Sequence, residues 1–169
     1  MIKLQSLGQV GYRLDIADTI IYIDPYLSNS VQEKEDAGIS RLIPIPILPS
    51  EIKDTDYVLI THSHRDHCDE DTLIPLAKAS PNCKFVAPVN VGTDLTHFGI
   101  DLHRILFIKE IPIKINNKIK LYPIPAAHPN IQVNVEGGWD CIGYVIEFEN
   151  KRLYHAGDTS IHEELIAKL

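Results

Sequence analysis

Four side chains that can bind metal ions lie within six residues, in the segment His62-Ser-His64-Arg-Asp66-His67. The short apolar run Asp56–Thr61 comes directly before them and is typical of a buried strand. In a loop that leaves a strand tip, side chains at 62 and 64 can converge, while those at 66 and 67 turn toward a neighbouring point. We therefore expect two adjacent metal ions, and the nitrogen and oxygen donors fit zinc, manganese or iron.

Two further candidate ligands, His128 and Asp158, each follow a predicted strand later in the chain. Strand ends are where parallel or mixed sheets gather their reactive groups, so both side chains can reach one sheet edge. Taken alone, a histidine before a proline is more often a turn residue, and a Gly-Asp-Thr sequence is more often a helix cap. Beside the histidine cluster, however, the two residues complete a metal-binding pattern.

The spacing of apolar residues predicts the elements that must position these side chains. Besides Asp56–Thr61, the predicted strands are Ile2–Leu4, Tyr12–Ile16, Ile20–Ile23, Lys84–Ala87, Ile111–Ile115, Ile119–Ile124, Tyr144–Phe148 and Arg152–His155. The predicted helices are Asp69–Ala79, Val91–Phe98 and Ile161–Leu169, and residues 28–50 are predicted to form an irregular loop. This mixture predicts one layered α/β or α+β domain over residues 1–169.

Composition narrows the function classes. The 169 residues carry a net charge of -7, and a domain this acidic is expected to repel nucleic acid. No apolar run approaches the roughly 18 residues of a membrane span, and no signal peptide is apparent, so we expect no membrane partner and a cytoplasmic location. The three cysteines are widely separated, which predicts reduced thiols.

The residues described above resemble the metallo-β-lactamase superfamily, whose signature is HxHxDH followed by a distant His, an Asp and a final His. The resemblance runs from about residue 1 to 169. Within the superfamily the chain looks most like the L-ascorbate-6-phosphate lactonase-like (UlaG-type) branch, through the segments Asp24–Ser28, Ile43–Pro46, Asp56–His62, Ser80–Val86 and Tyr154–Thr159. The implied fold is an αββα sandwich of the metallo-β-lactamase type.

The resemblance also implies a site and a reaction. By this resemblance, two divalent ions would be bound by six residues of the chain. The ligands implied are His62, His64 and His128 for the first ion, Asp66 and His67 for the second, and Asp158 as a bridge between them. The resemblance implies hydrolysis by a hydroxide that is shared between two metal ions, which would be zinc, manganese or iron. It also implies that Asp66 steers the hydroxide or takes up a proton. The implied small-molecule substrate is a sugar-phosphate lactone or a related ester, and the alternative is a phosphodiesterase of the same superfamily.

The sequence departs from the family pattern after Asp158, because the final histidine ligand is absent. The next histidine, His162, comes too soon and lies on the first turn of the predicted last helix. The family supplies further strands and helices beyond this point, so we expect the sandwich to lack its C-terminal part. A homo-oligomer or a completing C-terminal segment is therefore an expected partner, and a non-catalytic half-domain remains an alternative.

Several residues near the pattern have two interpretations. Asp24 ends a strand before a proline, where it could orient a ligand imidazole or begin a turn. Trp139 could form a substrate wall, but a core position is favoured. Cys68 is expected to point into the helix packing. The basic residues that could meet a substrate phosphate are Arg41, Lys53 and Arg65.

Overall fold

Over residues 2–169, which the computed structural model describes, ten strands form two β-sheets. The strands are β1 (Ile2–Ser6), β2 (Tyr12–Ile16), β3 (Thr19–Ile23), β4 (Tyr57–Leu59), β5 (Lys84–Ala87), β6 (Ile105–Phe107), β7 (Ile113–Lys114), β8 (Ile119–Pro125), β9 (Ile142–Phe148) and β10 (Lys151–His155). The helices are α1 (Ser30–Lys34), α2 (Glu70–Ala79), α3 (Val89–His97) and α4 (Glu163–Lys168). None of the helices in these residues combines the length and apolar character needed to cross a lipid bilayer.

The two sheets differ in strand direction. The first has the order β1-β2-β3-β4-β5-β6, antiparallel from β1 to β3 and parallel from β3 to β6. The second has the order β10-β9-β8-β7 and is antiparallel throughout. Because parallel strands end at a common edge, the loop that follows β4 leaves the first sheet where reactive groups can gather.

Apolar clusters between and outside the sheets define four layers. The residues packed between the sheets include Leu14, Ile21, Leu59, Val86, Leu121 and Ile146. Leu73 of α2 and Leu95 of α3 belong to the cluster on the other face of the first sheet. Leu165 of α4 packs with Val145 on the other face of the second sheet. The layers therefore run helix, sheet, sheet, helix, which confirms the expected α/β fold class and αββα sandwich.

The predicted strand Ile111–Ile115 is wrong in length, because only Ile113–Lys114 pairs with β8. The side chain of Asn116 accepts the backbone N–H groups of Lys118 and Ile119, each at 2.8 Å. This local turn uses N–H groups that a longer hairpin ladder would need. The hairpin is therefore present but short.

Apart from two 3₁₀ turns, Pro49–Glu51 and Leu102–Arg104, the sequence patterns do not predict two elements of the described structure. The helix α1 lies inside the segment expected to be an irregular loop, where the hydroxyl of Ser30 donates to Asp69 at 2.7 Å, across 39 residues. The strand β6 forms by pairing with β5. Both depend on partners distant in sequence, which a local pattern does not indicate. The other predicted elements are present, with ends shifted by at most two residues.

Candidate metal centre

The loop between β4 and α2 carries the histidine cluster. The backbone N–H groups of His67 and Cys68 both donate to the carbonyl oxygen of His64, at 2.9 and 2.7 Å, and so close a tight turn. The turn places the side chains of His62 and His67 inside the protein, each 1% exposed, whereas His64 is exposed. One short segment thus presents ligand atoms at two depths.

The other two candidate ligands arrive from the second sheet. His128 follows β8 and Asp158 follows β10, and the two segments are joined by backbone contacts. The N–H of Ser160 donates to the carbonyl oxygen of Ala127 at 2.9 Å, and the hydroxyl of Thr159 accepts the N–H of Ala127 at 3.0 Å. These bonds hold both segments at one edge of the sandwich.

Three imidazoles meet there and form what we call the three-histidine group, namely His62, His64 and His128. One nitrogen from each lies within 4.8 Å of the others. Nε2 of His128 is 3.0 Å from Nδ1 of His64. Two nitrogens on a tetrahedral zinc ion, with Zn–N distances of about 2.0–2.1 Å, are about 3.3 Å apart, so the spacing is close to that of shared metal ligands.

A second cluster, the mixed group, consists of His62, His67 and Asp158, whose ligand atoms also lie within 4.8 Å of one another. Nε2 of His67 is 3.3 Å from Oδ1 of Asp158 and 3.6 Å from Oδ2 of Asp66. The other oxygen of Asp158, Oδ2, is 3.8 Å from Nε2 of His128. The carboxylate of Asp158 therefore turns one oxygen toward each group.

These side chains fit a divalent cation because two buried ring nitrogens among them lack a well-formed hydrogen bond. Among the described residues, Nε2 of His62 is buried without a hydrogen-bond partner, and the buried Nε2 of His67 has within hydrogen-bond distance only the 3.3 Å contact with Asp158, which is not a well-formed hydrogen bond. The opposite ring nitrogens are engaged: Nδ1 of His62 lies 3.0 Å from the Thr61 hydroxyl, and Nδ1 of His67 lies 2.8 Å from Oδ2 of Asp24. Buried nitrogens are rarely left unpaired, and coordination to a cation would satisfy both.

Charge in the site is unevenly distributed. Burial and the neighbouring His67 lower the pKa of His62 to about 3, so its imidazole is neutral. With the ring proton on Nδ1, which faces the Thr61 hydroxyl, Nε2 has the free lone pair that a ligand nitrogen needs. Burial on its own would lower the pKa of His67, but the carboxylates of Asp158 and Asp24 raise it to about 10. The contact with His67 in turn lowers the pKa of Asp158. Without a metal, the carboxylates thus favour a protonated His67.

The structure resolves the two interpretations of Asp24. Its fully buried carboxylate accepts the Thr61 N–H at Oδ1, and its Oδ2 contacts the Thr61 hydroxyl and His67, all at 2.8 Å. Burial alone would raise the pKa of Asp24, but the contacts with His155 and His67 outweigh it and lower the pKa. Asp24 therefore orients a candidate ligand. The sequence did not single out His155, although its place at a strand end, three residues before Asp158, was a usable signal.

Three other positions have structural roles. Cys68 and Trp139 lie in the two main apolar clusters, as expected. His162 lies just before α4, where its Nδ1 accepts the N–H of Leu165 at 3.2 Å and its Nε2 lies 3.1 Å from the carbonyl oxygen of Pro125. His162 therefore caps a helix, and both of its ring nitrogens have partners away from the metal centre.

Fold and site together define an αββα sandwich with a His/Asp cluster at one edge. The family described as a beta-lactamase superfamily domain matches residues 19–169, and the chain belongs to this family. The chain is similar to a UPF0173 metal-dependent hydrolase of Caldivirga maquilingensis, with 27% identity covering 98% of this chain and 64% of that protein. It is also similar to N-acyl-phosphatidylethanolamine-hydrolyzing phospholipase D 1 of Caenorhabditis elegans, with 24% identity covering 90% of this chain and 45% of that protein.

A solved structure shows the same fold. Igni18, described as a novel metallo hydrolase from Ignicoccus hospitalis, matches with a TM-score of 0.67 at 24% identity, covering 96% of this chain and 63% of that one. The chain thus spans less than two thirds of the length of each of these three relatives.

Proposed function

We propose that this chain carries the metal centre of a hydrolase that uses two divalent cations. The candidate metals are zinc, manganese and iron. The observation that carries the proposal is the pair of buried Nε2 atoms of His62 and His67: within residues 2–169, the first has no hydrogen-bond partner, and the second has at hydrogen-bond distance only the 3.3 Å contact with the Asp158 carboxylate. Both atoms lie beside further ligand-type side chains from separate segments. The similarity to proteins named as metal-dependent hydrolases supports this function.

The six residues would divide between the cations in the following way. The proposed assignment is His62, His64 and His128 for the first cation, Asp66 and His67 for the second, and Asp158 between them. The split carboxylate of Asp158, with one oxygen near His67 and the other near His128, supports the bridging role. His62 belongs to both groups, so its imidazole lies beside the ligand atoms proposed for each cation.

When bound, a pair of divalent cations acidifies a water molecule and polarises the scissile carbonyl or phosphoryl group. The protein residues would then orient the substrate and move the protons. Asp66 is partly exposed, and its Oδ2 lies 3.6 Å from Nε2 of His67, so it can reach both solvent and the centre. We assign to Asp66 the uptake of a proton and its delivery to the leaving oxygen.

The substrate we propose is a small molecule, a sugar-phosphate lactone or a related ester, by resemblance to the lactonase-like branch of the superfamily. A phosphodiester is the second candidate, favoured by the similarity to the phospholipase D. The basic residue within the cluster, Arg65, donates to Glu35 at 3.1 Å. A substrate phosphate would have to compete with Glu35 for Arg65.

The net charge of -7 and the pattern of apolar residues support our proposal that neither a nucleic acid nor a membrane is a partner of this chain. We also propose a cytoplasmic location.

We further propose that a second copy or a completing C-terminal segment covers the open side of the two sheets. The terminal strands β1 and β10 both border a cavity of about 400 Å³, lined by residues that include Leu4, Leu153 and Asp158. Leu4 is 52% exposed. Unpaired strand edges with apolar side chains favour pairing with another strand, which would also border the metal centre.

The test is metal analysis combined with hydrolysis assays on the purified chain. We expect two metal equivalents per chain, together with hydrolysis of a lactone or a diester that is lost on chelation and restored by zinc or manganese. His103→Ala, at an exposed histidine outside the cluster, is the matched control and should keep both equivalents. One equivalent or none, without hydrolysis of either substrate, would overturn the proposal and favour a non-catalytic half-domain.

A further inference from the structure

A second histidine contacts the carboxylate that orients His67. His155 ends β10, and its Nε2 lies 3.1 Å from Oδ2 of Asp24, across 131 residues of sequence. The ring is largely buried, with its side chain 12% exposed, and its edge packs against Tyr12 at 5.8 Å between ring centroids. The side chain of His155 is thus held in place from two directions.

Asp24 connects His155 to the mixed group. Its Oδ2 lies 2.8 Å from the Thr61 hydroxyl, 2.8 Å from Nδ1 of His67 and 3.1 Å from Nε2 of His155. A fully buried carboxylate needs several donors, and each donor restricts the rotation of the group. Since the backbone of Asp24 also has a positive φ of 43°, the residue is confined by main chain and side chain together.

We propose that His155 is a positioning residue for the second cation, acting through Asp24 on His67. With His155 in place, Oδ2 stays directed at Nδ1 of His67. The opposite nitrogen, Nε2, then faces Asp158 and Asp66. Without His155, the carboxylate has one donor fewer and can turn away, so the imidazole of His67 loses its fixed orientation. This inference rests on the proposed metal function.

Loss of His155 should lower the affinity for the second cation more than the affinity for the first. His64 and His128 have no hydrogen bond to Asp24 among the described residues. The third member of the three-histidine group, His62, reaches Asp24 in the described structure only through the Thr61 hydroxyl, and His155 forms no hydrogen bond with that hydroxyl. Partners that orient a metal-bound histidine typically change metal affinity by about 10–100-fold. We therefore expect loss of His155 to weaken the second equivalent about 10-fold and to change the first by less than about 2-fold.

The experiment compares three variants of the full chain by calorimetric titration with Zn²⁺ and with Mn²⁺. His155→Leu removes the donor, whereas His155→Gln keeps an N–H donor at a similar reach. Leu153→Ala is the matched control, because Leu153 lies on the same strand and lines the same cavity but has no side-chain group that could donate a hydrogen bond to Asp24. Long-range ¹H–¹⁵N NMR of the metal-free chain adds a readout of the His67 ring N–H that donates to Asp24.

The inference predicts that His155→Leu weakens only the second equivalent and speeds exchange of the His67 ring proton, while His155→Gln restores both and Leu153→Ala changes neither. It is overturned if His155→Leu weakens both equivalents alike, changes neither, or is not rescued by His155→Gln. A wild-type chain that binds fewer than two ions overturns the proposed function, and the inference with it. That failure appears in the wild type, whereas failure of the inference alone appears only in the variants.

Discussion

The hydroxyl of Tyr144, on β9 of the second sheet, donates to the carbonyl oxygen of Ile60, which directly follows β4 of the first sheet, at 2.8 Å. The same hydroxyl lies 3.1 Å from the carbonyl oxygen of Val86. Tyr144 is fully buried, and Ile60 comes two residues before His62. This contact between the sheets therefore lies next to the histidine cluster, and it holds the end of β4, which the cluster follows.

Removing this hydroxyl should destabilise the fold. Tyr144→Phe keeps the ring but leaves the buried carbonyl oxygen of Ile60 without this donor, which costs about 1–3 kcal/mol in the free energy of unfolding; the carbonyl oxygen of Val86 still accepts the N–H of Ile60 at 3.0 Å. Equilibrium urea unfolding measures the change. Tyr122→Phe is the control, since its hydroxyl contacts Glu147 at 3.0 Å in a partly exposed position and should cost less. Equal losses in the two variants would contradict a special role for the Tyr144 contact.

Gly157, next to Asp158, is expected to tolerate no side chain. Its φ is +58°, and a Cβ there would lie 3.0 Å from Cβ and Cγ2 of Thr61. Gly157→Ala should therefore lower stability and push Asp158 out of place, which we expect to weaken metal binding about 10-fold. Thermal unfolding and metal titration measure the two effects.

Gly99 provides a control that separates backbone strain from steric contact. Its φ is +81°, but a Cβ there would meet no atom within 4 Å. Gly99→Ala should cost only the left-handed backbone term, about 1–2 kcal/mol, and leave metal affinity unchanged. If Gly157→Ala behaved like Gly99→Ala in both measurements, the close approach to Thr61 would have no role in the site.

Loss of one member of the three-histidine group should remove one cation. His64→Ala deletes the imidazole whose Nδ1 lies 3.0 Å from Nε2 of His128, so elemental analysis should find about one equivalent fewer and hydrolysis should be abolished. The fold should survive because His64 is exposed, and circular dichroism checks this. Full activity in this variant would refute the assignment of His64 as a ligand.

Removing the metal should lower stability without unfolding the chain. The apolar clusters between the sheets and beneath α2 and α3 do not depend on the metal centre. A cation at 100 times its dissociation constant adds about 2.7 kcal/mol, which corresponds to a rise of about 5–10 °C in Tm for a chain of this size. Differential scanning calorimetry with and without a chelator tests this, and complete unfolding on chelation would contradict it.

Much of the fold could be predicted because patterns of neighbouring residues specify most of its helices and strands. The apolar run before His62 indicated a buried strand, and β4 lies there. The acidic first turn of α2 and the proline after its end set that helix to within one residue of the prediction. The helix α1 and the strand β6 escaped because each is stabilised by a distant partner, Asp69 for α1 and β5 for β6.

The sequence by itself determined the donor types and the close spacing of the cluster from His62 to His67, since these belong to one short segment. Tertiary structure alone decided which atoms face one another, because His128 and Asp158 arrive from a different sheet. The contact between Asp24 and His155 belongs to the same class. Its partners lie 131 residues apart, at strand ends in the two different sheets, and only the packing of one sheet on the other brings them within hydrogen-bond distance.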